Sequence, residues 1–366
     1  MKIKLQQIDR LEFNKLFETK ELNITIANMY EDYFSNYSNG VSSSLFNKIS
    51  KKSLKERFCD NFFETMEIDI TDKDNAKLVK DYIYPGVHDL DVTSYKNNAY
   101  LKSFPKIVEK KGNLTYDFYG FYTYEGFVSD DLTVLPNSYY REITNIGFFS
   151  EPYPYPVIVE NGTVWMSLNP NEINTMSLAI DDTKDNVLML GLGLGYFAYM
   201  TSMKSNVKSV TIIENNEDII ELFKNNLLNV FEHKDKIKII KSDAFDYLST
   251  IKTGEFDFVF SDLWHNSNDG IAAYLRIKKF ENKFPRTRFS YWLETGFLCL
   301  LRRCLITLID EEISGSSDEN YKNVEVETDE IINSLHFYLK NKEINSYLDI
   351  KELISDDSLR EIAKHI

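Results

Sequence analysis

Three glycines at alternate positions, Gly191, Gly193 and Gly195, punctuate the apolar run VLMLGLGLGYFAYM at residues 187–200. Glycine accepts the backbone angles of a tight turn and lets the main chain approach a ligand closely. Four apolar residues ahead of the turn, Val187 to Leu190, are too few for a helix but suit a central parallel strand. Tyr196 onward resumes with helix-compatible residues, and a helix N-terminus favours anionic groups. Glu214 follows Gly195 by 19 residues, about the distance at which a Rossmann-type unit places the carboxylate that accepts both ribose hydroxyls. Asp243, in Ser242-Asp243-Ala244, and Asp262, in Ser261-Asp262-Leu263-Trp264-His265, come next. Where a general base is needed, His265 is the natural candidate, histidine being the side chain that changes charge near neutral pH; the alternative reading is that it caps the next helix. Asp262 is suited to orient it or to position an acceptor amine or hydroxyl, and Trp264 either to face a cation with its ring or to pack in the core.

The elements that must position these residues read as an alternation. Val207 to Glu214 is a second strand, Asp218 to Val230 an amphipathic helix, Ile237 to Ile240 a third strand and Phe256 to Phe260 a fourth. That pattern predicts an α/β fold, a Rossmann-like doubly wound parallel sheet, in which ligands sit beyond the carboxyl ends of the strands. Gly195, Glu214, Asp243 and Asp262 all fall at such ends. Just upstream, Val157 to Glu160 and Thr163 to Ser167 form a hairpin around Asn161-Gly162, a pair that tolerates a type I′ turn. A helix follows, with Asn169 or Asn171 as its cap, Pro170 near its first turn and Glu172 where an acid complements the dipole.

Before the hairpin, residues 1 to about 80 read as mostly helical with a Ser/Asn-rich loop at 35–44, and residues 80 to 168 as β-rich and aromatic. His88-Asp89-Leu90-Asp91 reads as a turn and no metal site is expected. After Asp262, Gly270 to Glu281 reads as helical, and residues 290–313 as one long amphipathic helix or a helix broken at Gly296, leaving no further strand for the sheet. Residues 311–330 carry eight acids and one Lys and read as a linker, ahead of two short terminal helices. The expected organisation is an N-terminal α+β domain over 1–150, a cofactor-binding domain with its hairpin over 151–315, and an acidic linker with a C-terminal helical appendage over 316–366.

A formal charge of −15, from 57 acids against 42 bases, argues against general affinity for nucleic-acid phosphate and favours a cationic or neutral small molecule as partner. Cys59, Cys299 and Cys304 are few and lack metal-type spacing, so a reducing cytoplasm is the expected compartment. The N-terminus has no apolar signal region, and the longest uncharged stretch contains turn-forming glycines, so no membrane association is expected. A homodimer is among the assemblies compatible with the chain.

The glycine spacing is G-x-G-x-G, with Tyr196 where a nicotinamide-type site would place its third glycine. With Glu214, Asp243 and Asp262 in this order, the chain resembles the class I S-adenosylmethionine-dependent methyltransferases. That resemblance implies that Gly191, Gly193 and Gly195 line the methionine part of S-adenosylmethionine, Glu214 the ribose, and Asp243 with Ala244 the adenine. It also implies that Asp262 to His265 face the reacting methyl, making Asp262, Trp264 and His265 the catalytic set. A narrower resemblance, over about residues 155–265, is to the spermidine synthase-like branch, through the hairpin and the following helix in VIVENGTVWMSLNPNEINTM, with Glu172 at the branch's helix-opening acid, which implies that Glu172 joins the cofactor-binding residues.

The chain also departs from that branch. GLGLGY lacks its aspartate-bearing turn, Trp165 stands where the synthases carry a glutamine and Met176 where they carry an aromatic, and DLWHN has one acid where theirs is aspartate-rich. On these grounds the expected function is methyl transfer from S-adenosylmethionine to a small-molecule acceptor. An aminopropyltransferase using decarboxylated S-adenosylmethionine is the first alternative, and a non-catalytic nucleoside-binding protein the second.

Overall fold

The computed structural model describes residues 1–106, 108–315 and 326–366, so the acidic stretch expected as a linker lies outside the described residues over 316–325. Helix α1 (Gln7–Asn36) opens on a capping box between Gln6 and Asp9. The β-rich part that follows contributes β1 (Leu114–Phe121) and β2 (Tyr153–Glu160), antiparallel along their full length from Leu114 opposite Glu160 to Phe121 opposite Tyr153. The predicted hairpin is present: β3 (Thr163–Ser167) folds back on β2, with Asn161 at φ 52° and Gly162 at φ 88°, the left-handed pair of a type I′ turn. Helix α2 (Pro170–Thr175) comes next, capped by Asn169, whose side chain accepts the N–H groups of Asn171 and Glu172.

The second half of the chain supplies β4 (Asp185–Leu190), α3 (Tyr196–Ser202), β5 (Val207–Glu214), β6 (Ile237–Lys241), β7 (Phe258–Ser261), α4 (Ser267–Glu281), β8 (Arg288–Tyr291) and α5 (Glu294–Ser314). The strands form one sheet in the order β6-β5-β4-β7-β8, every pair parallel. β4 is the centre, and Val187 to Leu190 are at most 1% exposed, because helices cover both faces of a parallel sheet. This is why the sequence there is an unbroken apolar run. From β4 the chain goes to β5 and β6 on one side and to β7 and β8 on the other, so the strand order reverses at β4. A reversal of this kind opens a crevice at the carboxyl end of the strand.

Three expectations fail here. Residues 288–291 are a fifth parallel strand, paired with β7 from Phe258 opposite Arg288 to Ser261 opposite Tyr291. The long helix starts at Glu294, not at residue 290. The break is Leu293, at φ 55°, which separates strand from helix without a glycine or proline to announce it. His88 also lies in a short strand (Val87–Asp89), parallel to Ile146–Phe148, where a turn was expected, and its ring Nε2 is 3.1 Å from Asn145 Oδ1.

One core runs across the sheet, with Phe197 stacked on Phe260 at 3.9 Å between centroids, and a second joins α1 and the helix Leu54–Thr65 to the N-terminal β-structure, with Phe58 of that helix stacked on Phe148 at 4.5 Å. The three cysteines are buried and free. Among the described residues no helix is long and apolar enough to cross a membrane, and no group of three His, Cys, Asp or Glu could hold a metal ion.

Helix α5 ties the ends of the chain together. Arg302, 1% exposed, donates from Nε to the Ile354 carbonyl at 3.0 Å, pairs with Asp356 at the start of α6 (Asp356–Ile362), and lies over the Tyr140 ring. Arg302→Ala removes a charge-assisted hydrogen bond and leaves a void, so a loss of about 3 kcal/mol in unfolding free energy is expected. Denaturant melts of the two proteins check it, and a difference under about 1 kcal/mol contradicts this account of the residue.

Candidate active site

A cavity of about 690 Å³ stands at the carboxyl end of β4, within the range of small-molecule sites. Its floor is the glycine turn. Gly191 donates its N–H to the Ile213 carbonyl at 2.9 Å, and Asp262 donates its own to the Leu190 carbonyl at 2.9 Å, so the turn begins where the ladder to β5 and β7 ends. Gly191 has φ 91°, and a Cβ there would stand 2.1 Å from the Asp262 carbonyl oxygen. No other residue type allows the turn and the β7 exit to approach so closely. Gly195, at φ 78°, meets Phe223 in the same way. Leu192 and Leu194 turn into the core, and the alternation of glycine with leucine follows from that.

Glu214, at the end of β5, is 8% exposed and braces the turn: its Oε2 accepts the Leu192 N–H at 3.1 Å and its Oε1 the Asn216 N–H at 2.7 Å. From the other side, the helix Ala99–Ser103 holds the turn through Tyr100, whose hydroxyl donates to the Leu194 carbonyl, while the Asn98 amide donates to the Tyr196 hydroxyl at 3.2 Å.

Three carboxyl groups face this cavity: Glu172 from α2, Glu214 from β5 and Asp262 from the end of β7. Burial first, and then the charge of Glu214, raises Asp262 to about 7. Burial and the neighbouring Asp262 raise Glu172 well above the usual carboxylate range. Neither Lys nor Arg lines the cavity among the described residues. Adjacent carboxyls that resist ionising are a site that gains from an incoming cation, because the cation removes the repulsion and takes the place of the protons.

The aromatic wall has the same bias. Trp165, Trp264 and Trp292, all three tryptophans of the chain, line the cavity. Trp264 is 7% exposed, donates its Nε1–H to the Trp292 carbonyl at 3.0 Å and packs edge-on against Phe297, so most of its indole is core and only part meets the cavity. Trp292 donates to Thr175 Oγ1 at 2.9 Å, linking the end of β8 to α2.

Of the residues expected to form the site, Glu172, Gly191, Gly193, Gly195, Glu214, Asp262, Trp264 and His265 are brought together around the cavity. Asp243 and Ala244 are not among its lining residues. Asp243 caps the helix Ala244–Thr250, accepting the Phe245 and Asp246 N–H groups at 2.8 and 3.0 Å, and Ala244 is buried behind it. His265 lies at the rim with its side chain 54% exposed, and its orienting partner is Asp269, at 2.7 Å from Nδ1, in place of the expected Asp262. Trp292, Asn215 and Asn216 line the cavity without having been expected there. The β-prone stretch Phe289-Ser290-Tyr291-Trp292 was the available signal for Trp292, masked by the helical pattern that begins two residues later.

The raised pKa of Asp262 has a consequence for stability. Between about 4, where an unfolded aspartate loses its proton, and about 7, the folded chain keeps a proton that the unfolded chain has released. The contribution is therefore fully present below about pH 4 and lost as pH rises to about 7. Asp262→Asn is expected to flatten the fall in Tm across that window, and calorimetric melts of both proteins at a series of pH values check it. An unchanged slope in the variant contradicts the shift.

Residues 167–344 match the spermine/spermidine synthase domain family. An uncharacterised protein of Methanocaldococcus jannaschii is 31% identical over 126 residues, which is 33% of this chain and 43% of that protein, so the chain matches less than half of that relative's length. Among solved structures, spermidine synthase from Thermotoga maritima is 15% identical with a TM-score of 0.30, covering 42% of this chain and 56% of that one. A precorrin 8w decarboxylase from Methanobacterium thermoautotrophicum is 20% identical with a TM-score of 0.28, covering 36% and 71%. The domain match overturns methyl transfer, the reaction expected first from the sequence. The departures that had favoured it, chiefly the single acid of DLWHN, lose their weight once Glu172 and Glu214 are seen to join Asp262 at the cavity. Over residues 167–344, about half of the chain, the sequence is thus similar to the spermine/spermidine synthase domain, in keeping with the resemblance to the spermidine synthase-like branch read from its motifs.

Proposed function

We propose that the chain is an aminopropyltransferase, moving the aminopropyl group of decarboxylated S-adenosylmethionine onto the nitrogen of a small amine. The observation that carries this reading is the convergence of Glu172, Glu214 and Asp262 with three indoles on one cavity that neither Lys nor Arg lines among the described residues. A donor that keeps its α-carboxylate would bring a fourth negative group into that space. The decarboxylated donor is purely cationic, with a sulfonium and an ammonium, and both gain from the acids and the ring faces.

In this reading Gly191, Gly193 and Gly195 let the backbone lie against the nucleoside, and Glu214 receives the ribose hydroxyls with the lone pairs that its two backbone bonds leave free. The incoming amine enters as an ammonium ion. Asp262, at about 7, accepts a proton from it, and the freed nitrogen pair attacks the carbon bound to sulfur. A carbon–nitrogen bond forms, the carbon–sulfur bond breaks, and the sulfur keeps the bonding pair as a neutral thioether. Glu172 holds the amine in line beside Asp262, where proximity supplies much of the rate. His265, with Asp269, stands at the mouth.

The test is to incubate the full chain with decarboxylated S-adenosylmethionine and a panel of mono- and diamines, following 5′-methylthioadenosine and the alkylated amine by mass spectrometry. Both products are expected in equal amounts, with none when S-adenosylmethionine replaces the donor. Production of S-adenosylhomocysteine, or no methylthioadenosine with any amine, would sink the proposal. Because every tryptophan lines the cavity, intrinsic fluorescence gives donor binding separately from turnover.

A further inference from the structure

A second cavity, of about 590 Å³, shares no lining residue with the first. It lies where the helix Ala99–Ser103 meets the antiparallel sheet, with Phe104, Phe118, Tyr153 and Pro156 as walls and Lys96, Lys102 and Lys106 also lining it. No carboxylate lines it among the described residues, although the chain as a whole carries a charge of −15. Lys96 is paired with Glu151 at 3.0 Å, whereas Lys102 and Lys106 have no acidic partner among the described residues. An apolar pocket lined by lysines and by no carboxylate among the described residues is complementary to a ligand with an apolar body and an anionic head.

The geometry points to a binding site for an amphipathic carboxylate, an organic acid with an aliphatic chain or ring, free in solution. Its apolar part fills the space between Phe118 and Pro156, and its carboxylate pairs with Lys102 and Lys106. The chemistry is opposite in sign to that of the reaction cavity, so the two sites do not compete for ligands.

Sodium decanoate, below its micellar concentration, is the probe, with decan-1-ol and decyltrimethylammonium as neutral and cationic controls, titrated calorimetrically into the full chain. Saturable decanoate binding is expected, weakening with salt and stronger than either control. Charge reversal at two exposed lysines, K102E/K106E, is expected to weaken it roughly tenfold. Absence of saturable binding, equal binding of the cationic control, competition with the S-adenosyl donor, or a loss under about threefold in K102E/K106E overturns the proposal. If that variant fails to melt like the native chain, the ranking of the three probes and the salt dependence on the unaltered protein decide.

Discussion

If Asp262 is the proton acceptor of the proposed aminopropyl transfer, Asp262→Asn is expected to lower that activity by roughly a hundred- to ten-thousandfold, the usual contribution of such a group. Asparagine has nearly the same shape, so the turn at Gly191, which touches the backbone oxygen of residue 262 and not its side chain, is undisturbed. Donor affinity, read from tryptophan fluorescence, should stay within a few-fold, and the loss should fall on kcat. The pH profile supplies the sharper reading. With Asp262 at about 7, the native enzyme should gain activity through neutrality and level off above it. The variant must wait for the amine to lose its proton in solution, so its rate should climb towards the amine's own pKa. A variant with native kcat, or with the native pH profile at a reduced rate, would remove Asp262 from the role of base.

Gly191→Ala is the second change with a large expected effect. The added Cβ meets the Asp262 carbonyl oxygen at 2.1 Å, a contact that only backbone movement relieves, and alanine is also strained at φ 91°. The two costs together come to about 2–5 kcal/mol, and the movement displaces the floor of the cavity and Asp262 together. Donor binding should weaken by about thirtyfold or more, since each 1.4 kcal/mol is tenfold. Gly193→Ala is the control. Gly193 also has a positive φ, 54°, but its Cβ would meet nothing within 4 Å, so only the conformational cost of about 1 kcal/mol remains. Melting temperature and donor dissociation constant, measured for both variants, check the contrast. Equal losses at the two positions would mean that the contact with Asp262 does not shape the site.

The parts of the molecule that were legible in the sequence are those encoded by residues a few places apart. The glycine turn, the Asn161-Gly162 hairpin, the Asn169 cap and the acids at the ends of β5 and β7 all stand where spacing put them. β8 was hidden because four residues, RFSY, run directly into a helical pattern, and the separating kink at Leu293 belongs to a residue type that rarely adopts it. The choice of reaction went astray for a related reason. Counting acids along DLWHN treats the β7 exit as if it alone supplied the site's charge.

By itself the sequence determined a Rossmann-like sheet, its glycine turn and the carboxylates at its strand ends, because turn chemistry and apolar periodicity act over a few residues. Only the tertiary structure decided how deeply Glu172, expected in the site from its place in the sequence, is buried beside Asp262, and that three tryptophans from separate elements line the same cavity. A carboxyl group's affinity for its proton depends on burial and on charges brought near by the fold, so the pair's raised pKa values and the cavity's preference for cations exist only in three dimensions.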